Sequence, residues 1–393
     1  MILNYKTQWE NSLENPYRFF FPFAFLGLLL GLGVIFFPVV DNEVIYWHRE
    51  ILITLFLLPI ANGFLYTAVP RFFNSYFAKT KEIFLSLFWL VFLFLLVIIK
   101  NKTLYSGIKF VYITQIALFV IERYTKRKSG NPLFTPFIFV SLFSGFMGSL
   151  LQWVFFYYPN PILYSIAFSL YYHAFFWILL FGVGTKFFPM LTLTVPLSED
   201  RKYQILNKKI YSSLSFWYGF SLVLLFTFLM EALEWIALGL WIRAFLVLFL
   251  SHEAWYLYFP SQRKGMYTFF IKLYLYSIVI GHFLFPFFPS YKQHLYHIIF
   301  VGGFLGLVLI VVGRVLISHE KFDLNLEVKS KILGSAFLLI YIALWTRTTA
   351  FLITESYENH LKYASITAIL GVLIYMIFFV KKLINKLNQK KFE

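Results

Sequence analysis

Eight histidines and six bases set in apolar sequence are the residues of this chain with types and spacing suited to chemistry. The histidines stand at 48, 173, 252, 282, 294, 297, 319 and 360, and cysteine is absent. Thiolate metal sites, disulfides and iron–sulfur clusters are therefore excluded, and any transition-metal chemistry rests largely on imidazole. The bases are Lys109, Lys186, Arg243, Lys272, Arg314 and Arg347. A cation in such a setting is costly and pairs with an acid, a substrate or a cofactor carboxylate. Lys109 and Lys272 fall near enough to a span end to snorkel to the interface, whereas Arg243 and Arg347 lie deeper. No Walker A sequence, dinucleotide G-x-G-x-x-G, H-E-x-x-H or G-x-S-x-G elbow is present.

The elements that must position these residues follow from composition. Of 393 residues, 60% are hydrophobic and only 13% charged, about half the charge of an average soluble chain. So little polar material cannot clothe a water-exposed surface. The mean hydropathy of +0.74 agrees, and the chain reads as an all-α polytopic membrane protein. A span needs about 20 mostly apolar residues. Twelve stretches qualify, at 19–39, 45–69, 83–99, 104–121, 133–158, 162–192, 211–230, 233–257, 266–288, 294–317, 332–353 and 363–384. The expected organisation is an N-terminal tail over 1–18, a twelve-helix domain over 19–384 and a basic C-terminal tail over 385–393. No cleavable signal sequence is read at the start.

The net charge of +16, from 34 Lys and Arg against 18 Asp and Glu, is distributed unevenly. Most of the bases fall in the tails and in the loops that follow even-numbered spans, including Arg71/Lys79/Lys81, Arg123/Lys126/Arg127/Lys128, Arg201/Lys202/Lys208/Lys209 and Arg263/Lys264. The opposite loops carry acids instead, among them Asp41, Glu43, Glu355 and Glu358. By the positive-inside rule both termini are cytoplasmic. The basic excess is thus a topology signal, and nucleic acid is not expected as a partner.

Depth along the spans sorts the histidines. His48 and His297 lie at matching levels near the outer ends of the second and tenth spans, and His282 also lies in the outer half. His173 falls near the midplane of the sixth span. His252 and His319 end their spans on the cytoplasmic side, and His360 belongs to an outer loop. His319 is about 33 Å along one helix from His297, too far to share a small site with it. The second, sixth and tenth spans share a layout, each with a His in its outer or middle part and a Gly and a base toward the cytoplasm. This period of four hints at three four-helix arcs; the unequal His-to-base spacings leave coincidence open.

Four ordered blocks along nearly the whole chain resemble the NnrS family, twelve-span bacterial membrane proteins of the nitric-oxide response that carry haem and copper. Asn15-Pro16-Tyr17-Arg18-Phe19-Phe20 is similar to P-F-R-x-F-F. Trp47-His48 with Gly63-Phe64-Leu65-Tyr66-Thr67-Ala68-Val69-Pro70 resembles W-H-x-H-E … G-F-L-L-T-A-V-P. Thr185-Lys186-Phe187-Phe188-Pro189-Met190-Leu191-Thr192 resembles G-R-V-I-P-F-F-T. His297, Gly302, Arg314, Val315 and His319 fall at the spacings of H-x4-G … R-V-x3-G-H. The chain departs from these motifs at Glu50, where the family has its second His, and at Ile51, Lys186 and Ser318.

The resemblance implies a divergent member in the bacterial inner membrane, acting against nitrosative stress by binding or converting nitric oxide or a nitrosylated species. It implies haem b held near the periplasmic side between spans 2 and 10. On that reading His48 and His297 are the axial candidates, and Arg243 and Arg347 face the propionates, since guanidinium forks suit carboxylates. His173 and Glu50 are further metal-ligand candidates. Copper at an H-x-H-E site loses its second imidazole here, and carboxylate suits Cu(I) poorly. Two alternatives stay open. One is a transporter whose path is lined by Arg243, Arg347, Lys186, Gln115, Asn62 and Gln152; the other is a haem-free relative of the same fold.

Overall fold

The computed structural model describes residues 13–37, 42–194 and 213–392. The first part of the expected N-terminal tail, Asp41, the Arg201/Lys202/Lys208/Lys209 cluster and the side chains of Lys390 and Lys391 lie outside the described residues. Among the described residues there is no strand, and twelve helices are long and apolar enough to cross a membrane. They are α1 (Tyr17–Phe36), α2 (Glu43–Phe72), α3 (Thr80–Ile99), α4 (Lys102–Thr125), α5 (Thr135–Phe155), α6 (Pro161–Thr192), α7 (Leu214–Ala232), α8 (Ile236–Glu253), α9 (Met266–Phe287), α10 (Pro289–His319), α11 (Lys331–Leu352) and α12 (Thr354–Lys386). Each expected span coincides with one helix. The chain is a multi-pass membrane protein.

Local chemistry sets several of the helix starts. The Asn101 carboxamide accepts from the Leu104 amide at 3.0 Å to open α4. Asn160 accepts from the amides of Ile162 and Leu163 at 2.9 and 3.2 Å to open α6, with Pro161 in the first turn, where no amide is needed. Lys100, in the left-handed conformation at φ 59°, reverses the chain between α3 and α4. The last helix continues to Phe392, through the segment read as the basic tail. One placement differs from expectation. His360, expected in a loop, lies in the first turns of that last helix.

The helices group into two units. The first holds α1 to α5, α6 as far as Val183, and α7; the second holds α6 from Gly184, α8 from Leu240, and α9 to α12. In the first unit α1 packs on α2, α3 on α4, α4 on α5, and α7 on α5 and α6. In the second, α9 packs on α10 and α11, and α11 on α12. The period of four read in the sequence persists in burial. The most apolar windows of α2, α6 and α10 are 83%, 78% and 72% buried, against at most 61% for any other helix. These three are the interior helices, and each carries one of the histidines read as primary.

Arg123, counted among the loop charges, is fully buried at the end of α4. Its guanidinium forks onto both Glu82 oxygens at 2.5 Å and lies over the Phe119 ring. A bidentate pair of this kind carries geometric specificity that a solvated charge lacks, and here it pins α3 to α4.

Candidate functional site

The three interior helices share a local irregularity. Each contains a π-helical stretch: Ile51–Leu57 in α2, Ser169–Phe175 in α6 and Phe300–Leu305 in α10. The stretches begin three residues after His48 and after His297, and the one in α6 contains His173. A π stretch widens the turn by one residue and is found mainly where function holds it in place. Nothing in these apolar sequences forbids an ordinary α turn, so neighbours must select it. On α1, a Cβ at Gly27 would sit 2.1 Å from the Leu55 carbonyl oxygen. On α5, a Cβ at Gly148 would sit 2.6 Å from the Tyr171 amide nitrogen. Backbone therefore meets backbone beside the π stretches of α2 and α6, at positions only glycine allows.

Immediately before the α2 stretch lies a buried polar cluster of the first unit. The Glu50 carboxylate and Lys109 ammonium are 1% and 0% exposed and pair at 3.0 Å. Lys109 also donates to the other Glu50 oxygen at 3.2 Å and to the Gln152 carboxamide oxygen at 2.6 Å, which occupies its three protons. Glu50 further accepts from Thr54 at 3.1 Å and from the Tyr172 hydroxyl. Thr54 in turn bonds the Tyr171 hydroxyl at 2.8 Å. Lys109 lies over the Tyr171 ring at 4.5 Å, and Arg49 over Tyr172 at 4.6 Å and Phe168 at 4.9 Å. Helices α2, α4, α5 and α6 are tied together here. The snorkelling expected of Lys109 is overturned: its stem runs into the protein because a carboxylate waits there. Lys272 turns toward the loop that precedes α9, donating to the Phe259 carbonyl at 2.6 Å.

The histidines separate by what their Nδ1 atoms do. His48 donates from Nδ1 to the Gly31 carbonyl at 2.8 Å, His297 to that of Gln293 at 2.9 Å, and His282 to that of Ile278 at 2.7 Å. A carbonyl can only accept, so in the neutral ring the lone pair resides on Nε2, the tautomer a metal-binding imidazole takes. His294 does the opposite, its Nδ1 lying 3.1 Å from the Arg347 guanidinium, which can only donate. His173 is packed among Phe168, Trp177 and Phe228, with ring centroids 5.2 to 6.5 Å away. His252 pairs with Glu253 at 2.7 Å.

Of the arginines, Arg243 is fully buried in the second unit and interacts electrostatically with Tyr296 and His282. Arg347 is half-buried and shared between His294 and Tyr357. Arg314 holds both oxygens of Glu327, at 2.9 and 2.8 Å. Lys186, placed on a transport path by the alternative reading, is exposed. Among the described residues no three His, Cys, Asp or Glu side chains gather as a metal cage.

The sequence model described as NnrS protein matches residues 11–386. The chain belongs to the NnrS family. No curated protein matches it. In this NnrS protein two of the motif blocks meet directly. The Tyr17 amide donates to Thr67 at 3.2 Å, and Arg71 donates to the Asn15 carboxamide at 3.1 Å. Thr67 in turn bonds the Gly63 carbonyl at 2.7 Å. The first NnrS-like block and the Gly63–Pro70 block thus fasten α1 to α2, the helix that carries His48. Sequence reasoning singled out Glu50 but missed Lys109, Thr54 and Tyr172 as its partners. The only available signal was a lysine and a glutamate, each stranded in an apolar span and so in need of the other.

Proposed function

We propose that this NnrS protein is a haem-binding membrane protein that lessens nitrosative stress, with His48 and His297 as the axial candidates. The observation that carries this reading is their common build. Each sits near the start of an interior helix, three residues ahead of a π stretch, with Nδ1 on a backbone carbonyl and the lone pair on Nε2. That build fits an axial imidazole, and the surrounding wealth of aromatic side chains suits an apolar slot. Bound haem would supply an iron able to take nitric oxide or a nitrosylated species, at a position that one of the two imidazoles would have to vacate. The chain's part is to fix two imidazole tautomers and to offer cations, Arg243 and Arg347, to propionates. Placement in a bacterial inner membrane with both termini cytoplasmic accords with the basic loops.

Copper fits less well. The oxygens of Glu50 are already taken by Lys109, Thr54 and Tyr172, and an ammonium 3.0 Å away opposes a metal cation at that position. His173 is the further ligand candidate, packed against Phe168, Trp177 and Phe228. Of the polar residues on the path in the transporter alternative, Asn62 and Gln115 each donate to a neighbouring side chain. Asn62 donates to Tyr112 at 2.8 Å, and Gln115 donates to Ser86 at 2.8 Å.

Protein purified from haem-replete cells should show a Soret band. His48→Ala and His297→Ala should each alter it, and His360→Ala should leave it unchanged. Absence of the band would remove the haem reading, and an unaltered band in both His variants would remove this ligand pair.

A further inference from the structure

At the start of α9 a cavity of about 510 Å³ opens among Arg263, Lys264, Thr268, Phe269, Lys272 and Tyr276. Three of the nine residues that line the cavity are cationic, and none is acidic. Glu327, behind the cavity's Arg263, is 1% exposed and is shared by Arg263 at 2.9 Å and Arg314 at 2.8 Å, two guanidiniums to one negative charge. Lys264 is exposed, and Lys272 commits one of its three protons to the Phe259 carbonyl. Thr268 is only 7% exposed, lines the cavity, and its hydroxyl has no hydrogen-bond partner among the described residues. The positive charge and the unused hydroxyl both call for an oxyanion.

The rest of the lining determines what the oxyanion is attached to. Residues 268, 269, 272 and 276 recur at three- and four-residue steps, so they form one stripe running from the end of α9 into its apolar length. Phe269 is 60% and Tyr276 is 37% exposed, on a helix long and apolar enough to span the bilayer. A ligand seated here meets cations at the helix end and rings along the membrane-embedded stripe. A free phosphate uses only the first; a phospholipid uses both.

We propose that this cavity is a binding site for an anionic phospholipid, its phosphate held by Lys264, Lys272 and Thr268 and its acyl chains laid along Phe269 and Tyr276. Arg263 shapes the site while remaining bound to Glu327. Juxtamembrane bases of this kind attract anionic headgroups, and a ligand that binds only the folded state raises its melting temperature.

The full-length protein in nanodiscs tests it. Replacing phosphatidylcholine by phosphatidylglycerol should raise the melting temperature by about 5 °C. Lys264→Gln/Lys272→Gln should lose most of that rise, measured from its own melting temperature in pure phosphatidylcholine, since the loss of the Lys272–Phe259 bond shifts both lipid conditions alike. Lys381→Gln/Lys382→Gln, an equal change of charge on α12, should keep the rise. Native mass spectrometry should show a retained phosphatidylglycerol on the wild type and on the α12 variant only. The site is overturned if both double variants respond alike, which would mean general attraction to a basic surface. It is equally overturned if inorganic phosphate at the same headgroup concentration reproduces the shift in phosphatidylcholine.

Discussion

Lys109→Met is expected to cost about 3–5 kcal/mol of stability, the usual penalty for leaving one member of a buried ion pair without the other. The Glu50 carboxylate would keep Thr54 and Tyr172 but lose both bonds from the ammonium, and at 1% exposure no water replaces them. Gln152 would lose its contact as well. The companion variant Lys109→Met/Glu50→Leu should recover most of the loss, because two apolar side chains of similar volume carry no desolvation cost. Thermal melts in detergent, followed by tryptophan fluorescence, separate the three proteins. A single variant that melts with the wild type would show that Lys109 and Glu50 do not form a buried ion pair. The same chemistry constrains attempts to rebuild the family's second imidazole. Glu50→His alone places the new ring beside a buried ammonium, so it should gain no copper by elemental analysis while Lys109 is present.

The second large effect is expected at Gly27. A Cβ there would lie 2.1 Å from the Leu55 oxygen and 2.5 Å from its carbonyl carbon. Both atoms are backbone in the π stretch of α2, so no rotamer change relieves the clash. Gly27→Val should therefore push α1 off α2 and cost about 3 kcal/mol, the upper end of ordinary overpacking. Displacement of α1 also withdraws the Gly31 carbonyl from His48 Nδ1. If His48 is an axial ligand, the Soret band should shift along with the melt. Gly219 on α7 is the control. Nothing lies within 4 Å of a Cβ there, so Gly219→Ala should be neutral or stabilising by about 0.5–1 kcal/mol, as expected of alanine in a helix. Equal melting of the two glycine variants would contradict the close approach of α1 and α2.

Much of this architecture was legible in the residue order. Whether a segment spans a bilayer depends on its own length and hydropathy, which is why all twelve stretches coincide with helices. The family was legible too, because motif blocks such as Gly63–Pro70 are contiguous and survive divergence. The period of four, read in the sequence as a hint of three arcs, reappears in the structure as the burial of α2, α6 and α10. Other features lay beyond local reading. Lys109 and Glu50 are 59 residues apart, and a lysine near a span end snorkels or turns inward depending only on what a neighbouring helix offers. The π stretches have unremarkable apolar sequences, and those of α2 and α6 pack closely on glycines of adjacent helices. Arg123 reads as a loop charge, yet it is buried because Glu82 on α3 stands opposite its fork. The sequence by itself determined the spans, the stock of imidazoles and the family. Tertiary structure decided which charges are paired and which imidazole nitrogen carries the lone pair. Hydropathy acts on a segment alone, whereas a buried polar group is defined by the partner that satisfies it.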